Sequence, residues 1–245
     1  MKLSEIAVVT VPFIQNERHY NLAKSTYKSL FKHGGFGLSQ MIAVINQSRE
    51  EDLDMIGTYN ETVIKNERNN LSMAWNVGVK TAINQGYKYV LIPNLDILLH
   101  KKAMQSLIAF GDVYIKDTGI IACNPINDIV MFEIAPDNPE KATKLIENND
   151  QSFSCFLLSI EAYKKIGAFD EQFEPAYFED DDYLHRAKQS GYRPTKLQHA
   201  MFWHFLQGTV KNANSETRDI YNESLEKSKR LYILKHGGEP RFETK

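Results

Sequence analysis

Two cysteines in 245 residues, Cys123 and Cys155, lie in apolar stretches far apart from one another in the chain. They form no zinc-site or redox spacing and read as reduced core residues, which suits a cytoplasmic protein. Long apolar runs are missing as well. A membrane-spanning helix needs roughly 20 apolar residues, and the opening stretch Met1 to Ile14 offers one lysine and a short run broken by Pro12. Neither a signal-peptide core nor a transmembrane segment is expected. Charge of one sign is scarce: 29 basic against 31 acidic residues give a formal net charge of −2, with no arginine-rich stripe. Nucleic acid is therefore not an expected partner. The glycines make neither a Gly-x-Gly-x-x-Gly turn after the first apolar run nor a Gly-x-x-x-x-Gly-Lys-Ser/Thr loop, which excludes the usual dinucleotide and triphosphate cradles.

What is present is enough apolar sequence, 42% of the chain, for one substantial core. The β-branched run Ile6 to Val11 reads as a buried strand, Met41 to Ile45 as a second, Thr62 to Ile64 as a third and Tyr87 to Ile92 as a fourth. Between them, Asn21 to Phe31 and Leu71 to Gln85 repeat apolar residues at helical spacing and stop at Gly34/Gly35 and Gly86. Alternation of this kind predicts an α/β fold with a mostly parallel sheet flanked by helices. Further along, Gly119 to Cys123 and Phe153 to Ile160 read as strands, and Glu161 to Ile166 and Asp180 to Ser190 as helices. Pro136 to Asn149 reads as a surface excursion, and Ser215 to Leu234 as a long charged helix. The expected division is one nucleotide-binding domain over 1–210, with a C-terminal helix and tail over 211–245 packed on it.

In open α/β sheets, ligands sit beyond the carboxyl ends of the strands. Three polar clusters fall there: Thr10 to Phe13, Asn46 to Ser48 and Asn94 to Asp96. With no glycine cradle, a diphosphate is most simply neutralised by a divalent metal. Asp96 offers the hard oxygen such an ion prefers, or else merely caps a turn. The run Glu179, Asp180, Asp181, Asp182 packs four carboxylates together amid Phe169, Phe173, Tyr177 and Phe178. Such a run is either solvated capping at a helix start or a general base with bracing carboxylates in a water-poor setting. His204, in the apolar run Met201 to Leu206, is either a core histidine or the imidazole partner of a metal-bound Asp96, with His199 its rival.

Together these stretches resemble a family 2-type glycosyltransferase of the GT-A fold over roughly residues 4 to 206. The most specific block is Ile166-Gly167-Ala168-Phe169-Asp170-Glu171, then Tyr177-Phe178-Glu179-Asp180-Asp181-Asp182, then Arg186 and Gly191-Tyr192. Asn66 to Gly78 is similar to the family's asparagine- and glycine-bearing segment, with Asn70 and Asn76 as the matching asparagines. Asn94-Leu95-Asp96 occupies the place of the Asp-x-Asp metal motif, with asparagine in the first position, and Asn46 stands where many members carry a base-reading aspartate. The tail Lys235, Gly237, Gly238, Glu239 is loosely similar to the ends of some such enzymes.

The resemblance implies that Asp180 is the general base and that Asp96 and His204 hold Mn²⁺ or Mg²⁺. Thr10, Pro12 and Asn46 would line the base and ribose pocket, and Asn70, Asn76 and Asn94 would belong to the substrate site. Glu179 and Asp182 would orient the acceptor, or Asp182 would hold Arg186 at i, i+4. The donor would be a nucleotide-diphosphate sugar, UDP-linked in preference to GDP-linked, and the acceptor a glycan or other hydroxyl compound. Two other readings are an inactive nucleotide-sugar binding protein of the same fold and a metal-dependent phosphoester hydrolase. The second leaves Phe169 to Asp182 unexplained.

Overall fold

The structure is a computed structural model that describes residues 1–135, 145–146, 153–205 and 214–238. Its centre is a sheet of nine strands: β1 (Ile6–Thr10), β2 (Met41–Ile45), β3 (Thr62–Lys65), β4 (Tyr89–Pro93), β5 (Ile97–Leu99), β6 (Ile120–Ile126), β7 (Leu145–Ile146), β8 (Cys155–Ser159) and β9 (Thr195–His204). They run in the order β3-β2-β1-β4-β8-β6-β9-β5, with β7 pairing β9 from the side. β1 lies between β2 and β4, parallel to both, and β3 extends the parallel half. β8 is antiparallel to β4 and β6, while β6 and β9 run parallel to one another and β5 turns back antiparallel on β9. The expected α/β sheet flanked by helices is thus present: its first half is parallel throughout, and its second half is mixed, with β5, β7 and β8 running antiparallel to their neighbours.

All five residues of β1 are buried, as a strand covered on both faces requires. The period-2 alternation sends Ile6 and Val8 to one core and Ala7 and Val9 to the other. Helices α1 (Glu17–Ser29) and α4 (Ala103–Thr118) cover the first face through Ala23, Tyr27, Leu107 and Phe110. α3 (Leu71–Asn84), α6 (Ile160–Ile166) and α7 (Glu179–Gln189) cover the second through Ala74, Val79, Ala162, Tyr183 and Leu184. Two shorter helices, α2 (Leu53–Tyr59) and α5 (Ile129–Glu133), and the C-terminal α8 (Ser215–His236) complete the described α-helices.

Several boundaries differ from the sequence expectation for local reasons. α1 begins four residues early because Asn16 caps it, its side chain accepting from the His19 N–H at 2.9 Å. It continues as a wide turn over Leu30–Gly34 and ends at Gly35, whose φ of 72° is left-handed. α4 carries no side-chain cap at its start, so the usual signal of a helix beginning is absent from its sequence. Of the excursion expected over Pro136 to Asn149, Leu145 and Ile146 pair with β9 as a strand; the remainder lies outside the described residues. Glu239 and Leu206 lie outside them too.

Candidate functional site

A cleft of about 650 Å³ opens beyond the carboxyl ends of β1, β2 and β4, within the range of ligand sites. Val11 and Phe13 enter it from the end of β1, Asn46 from the end of β2, and Asn94, Leu95 and Asp96 from the end of β4. Trp75 of α3 and His19 of α1 also line it, and Tyr177, Glu179 and His204 border it together with Arg218, Tyr221 and Leu225 of α8.

Asp96 and His204 meet in this cleft. Ile97 pairs with His204 across the β5–β9 ladder, and the Phe205 N–H donates to the Asp96 carbonyl at 2.9 Å. The side chains follow: His204 Nε2 lies 3.5 Å from Asp96 Oδ1. That oxygen is buried and accepts no hydrogen bond. A buried carboxylate oxygen with no donor, facing an imidazole nitrogen, is a fitting donor pair for a divalent cation whose remaining ligands come from a diphosphate and water. Among the described residues no group of three or more His, Cys, Asp or Glu is gathered for a metal. His199 does not line the cleft. It sits where the β6–β9 register jumps, Cys123 facing Leu197 and Asn124 facing Met201.

The acidic run starts α7 from an unusual turn. Tyr177 and Phe178 both have positive φ, 80° and 65°, a conformation costly for non-glycine residues. It delivers Glu179 to the cleft, almost fully buried, with Oε2 lacking a hydrogen-bond partner. Burial, joined by the charges of Asp180 and Asp181, pushes the Glu179 carboxyl well above its ordinary range despite backbone hydrogen bonds at Glu179 and Tyr177. Asp180, the base expected from the sequence, is next along and half-buried; it accepts the Asp181 N–H at 2.9 Å and, unlike Glu179, is not among the residues lining the cleft. Asp182 points away from the cleft. Fully buried, it accepts from Arg186 Nε at 2.8 Å, the i, i+4 contact allowed for in the sequence, is hydrogen-bonded with His236 Nε2 at 2.9 Å and is ion-paired with Lys235 Nζ at 2.6 Å.

The other sequence candidates divide between lining and support. Asn46 and Asn94 reach the cleft. Asn46 is also committed internally: it donates to Asn69 Oδ1 at 2.8 Å and accepts from Asn66 Nδ2 at 3.2 Å and the Asn70 N–H at 3.1 Å. Pro12 supports that loop by accepting the Asn46 N–H at 2.7 Å. Thr10 is buried behind it, its hydroxyl 3.0 Å from Tyr27 Oη. Asn70 caps α3 at the Met73 N–H and donates to the Glu171 carbonyl. Asn76 bonds the Phe169 N–H at 2.8 Å and its carbonyl at 2.9 Å. These two asparagines hold the loop that leads into the acidic turn and do not line the cleft.

Sequence reasoning missed the contribution of α8. Tyr221 packs edge-on against Phe13 and Tyr177, each with ring centroids 6.0 Å away, and burial pushes its hydroxyl pKa up to about 12. The signal was there: Tyr221, Ser224, Ser228 and Tyr232, the buried residues of α8, form a narrow stripe at helical spacing in an otherwise charged sequence.

No protein-family pattern matches the chain, and no curated protein matches it significantly. Solved structures do. Mannosyltransferase PcManGT from Pyrobaculum calidifontis, in complex with GDP-Man and Mn²⁺, superposes with a TM-score of 0.62 at 12% identity over 96% of this chain. S. aureus TarS 1–349 in complex with UDP-GlcNAc does so with a TM-score of 0.62 at 15% identity over 97%. The chain spans 66% and 68% of those two chains, and 43% of another TarS structure. The chain has the GT-A-like fold of these glycosyltransferases.

Proposed function

We propose that the chain is a glycosyltransferase that moves a hexosyl or related unit from a nucleotide-diphosphate sugar to an acceptor hydroxyl, with inversion at the anomeric carbon. The observation that carries this reading is that the Asp96–His204 pair and Glu179 line one cleft at the carboxyl edge of the sheet, although they are distant in sequence. The donors named for PcManGT and TarS, GDP-Man and UDP-GlcNAc, agree with a nucleotide-sugar ligand of either base. We favour UDP, with GDP as the alternative, and a glycan or other hydroxyl compound as acceptor. Among the described residues no helix is long and apolar enough to cross a membrane, and we place the protein in the cytoplasm.

Pro12, Asn46 and Phe13 border the nucleoside, with Thr10 supporting them from behind and Asn94 nearest the ribose. Asn70 and Asn76 serve the site indirectly, through the loop they hold. Asp96 and His204 would hold Mn²⁺ or Mg²⁺, which when bound neutralises the donor diphosphate and stabilises the charge of the departing nucleotide. Asp180 accepts the proton of the acceptor hydroxyl while its oxygen bonds to the anomeric carbon on the face opposite the diphosphate. The anomeric bond to phosphate breaks in that step, the nucleoside diphosphate leaves with the electron pair, and no covalent enzyme intermediate forms. With Glu179 favouring its protonated form, it can donate a hydrogen bond to the acceptor while Asp180 acts as base.

Thermal-shift screening of UDP- and GDP-sugars with and without Mn²⁺ identifies the donor, because a ligand of the native state raises apparent stability. In Asp180→Asn, transfer should fall by about 10²–10⁴-fold while donor binding stays within about twofold. Retained turnover in a folded variant refutes the base assignment. Asn46 and Asn94, at two positions usually acidic in the resembling family, favour one second reading, a binding protein of the same fold. Such a protein would bind the nucleotide sugar yet never release free nucleotide in Mn²⁺.

A further inference from the structure

The acidic turn is clamped from one side by α8. Ser224 Oγ donates to the Ala176 carbonyl at 2.8 Å and Ser228 Oγ reaches the same oxygen at 3.4 Å. The rings of Tyr221 and Tyr232 stand 6.0 and 6.3 Å from those of Tyr177 and Phe178. At the far end Lys235 Nζ and His236 Nε2 close on Asp182 Oδ1, and Lys235 also binds Asp170 Oδ2 at 2.6 Å. One face of a single helix therefore meets residues 176, 177, 178 and 182 in turn, flanking Glu179 on both sides.

Two consecutive non-glycine residues in left-handed conformation persist only where their surroundings over-determine them. Phe178 offers no side-chain cap to the helix it starts, and from within the turn the Glu179 carboxyl takes backbone hydrogen bonds at Tyr177 and Glu179. From outside, α3 holds the Pro175 carbonyl through the Leu71 N–H, and α8 supplies the hydroxyls on the Ala176 carbonyl and the rings beside Tyr177 and Phe178. Serine at 224 and 228 suits this, since a larger side chain would hold the helix off the Ala176 carbonyl and a smaller one would leave that carbonyl without its hydroxyl partner.

We propose that Lys235, Ser224 and Ser228 are positioning residues of the active site: acting through Asp182 and Ala176, they help hold the Tyr177–Phe178 turn and thereby set where Glu179 stands in the cleft and Asp180 beside it. The kinetic part of this inference rests on the transferase reading, while its structural part stands without it. A merely packed helix would share stability with the whole domain. A positioning helix controls one turn.

The experiment uses the full chain and three variants: Lys235→Met, which removes the charge and keeps most of the unbranched stem; Lys235→Arg as rescue; and the double Ser224→Ala/Ser228→Ala. Hydrogen exchange is followed at the amides of 176–182 and at the β1 and β4 amides as reference. In Lys235→Met and in the double variant, exchange at 176–182 should quicken about tenfold with the reference amides unchanged. The turnover number with the donor found by thermal shift should fall about tenfold or more, because small misplacements of reacting groups are costly. The dissociation constant for UDP or GDP with Mn²⁺ should stay within about twofold, and Lys235→Arg should restore both readouts. Exchange at 176–182 that matches wild type, or quickened exchange with an unchanged turnover number, overturns the proposal. Should the unmodified protein bind nucleotide yet turn over no donor, the transferase reading fails by itself and the exchange result alone decides the positioning claim.

Discussion

His204 Nε2 stands 3.5 Å from Asp96 Oδ1 because β5 turns back on β9 directly after Asp96, setting Ile97 opposite His204. The pair is made by backbone register, so it is in place before any ligand arrives. Such preorganisation is what a cation site needs. Replacing either member by alanine should leave the ladder intact while removing one of the two donors proposed for the ion. The expected result for Asp96→Ala or His204→Ala is nucleotide binding in Mn²⁺ at least about 10-fold weaker, with metal-free binding unchanged. Calorimetric titration with and without the ion makes the check, and equal loss under both conditions would point to a purely structural pair.

Glu179 sits almost fully buried with its pKa held well above the ordinary 4.5. The folded protein therefore keeps that proton more tightly than the unfolded chain does. The stability this contributes is complete below the unfolded value near 4.5 and is lost as pH rises through the raised folded value. At neutral pH the group is a cost to the fold. Glu179→Gln, which keeps the shape without the charge, should raise the unfolding midpoint by about 2–4 °C at pH 7.5. The gain should vanish near pH 4. A midpoint equally raised at both pH values would mean that ionisation of Glu179 plays no part.

Much of this was legible in the sequence where local rules and tertiary structure agree. The run Met41–Ile45 had one option as a buried strand, and Gly86 and Gly35 end their helices by conformational freedom that other residues lack. α4 was not legible. Lys102 provides no side-chain cap, and a helix start without a capping side chain looks like any other apolar stretch. In the candidate site the strand-end rule found Asn94, Asp96 and Asn46, because topology alone exposes those positions. The same residue type behaves differently elsewhere: Asn70 and Asn76 lie in a segment that resembles a substrate site, and their side chains bond the Met73 N–H and the backbone of Phe169 and Glu171. Whether a polar residue faces a ligand or a backbone depends on where distant loops pass. The part played by Lys235 and His236 was out of reach for the same reason, since Asp182 and the end of α8 meet only through tertiary folding.

Gly78 tests how far the sheet itself supports the site. It lies on the face of α3 turned to β1, where an added Cβ would overlap the side chain of Val9. In an isolated helix Gly→Ala gains up to about 1 kcal/mol. Here the methyl must displace either Val9, fixed in the central strand, or α3 itself, and overpacking of this kind costs about 1–3 kcal/mol. Overpacking should win, so Gly78→Ala is expected to lower the unfolding midpoint, by about 2–4 °C for each kcal/mol of net loss. α3 also carries Asn76, which holds the Phe169 backbone ahead of the acidic turn, so an outward shift of the helix should reach the cleft and weaken nucleotide binding too. Val9→Ala made together with Gly78→Ala removes the overlapping methyls. The double variant should then be more stable than the sum of the two single losses implies, a coupling that thermal unfolding of all four proteins measures. Strict additivity would show that α3 has room to move and that its close approach to β1 is not what locates Asn76.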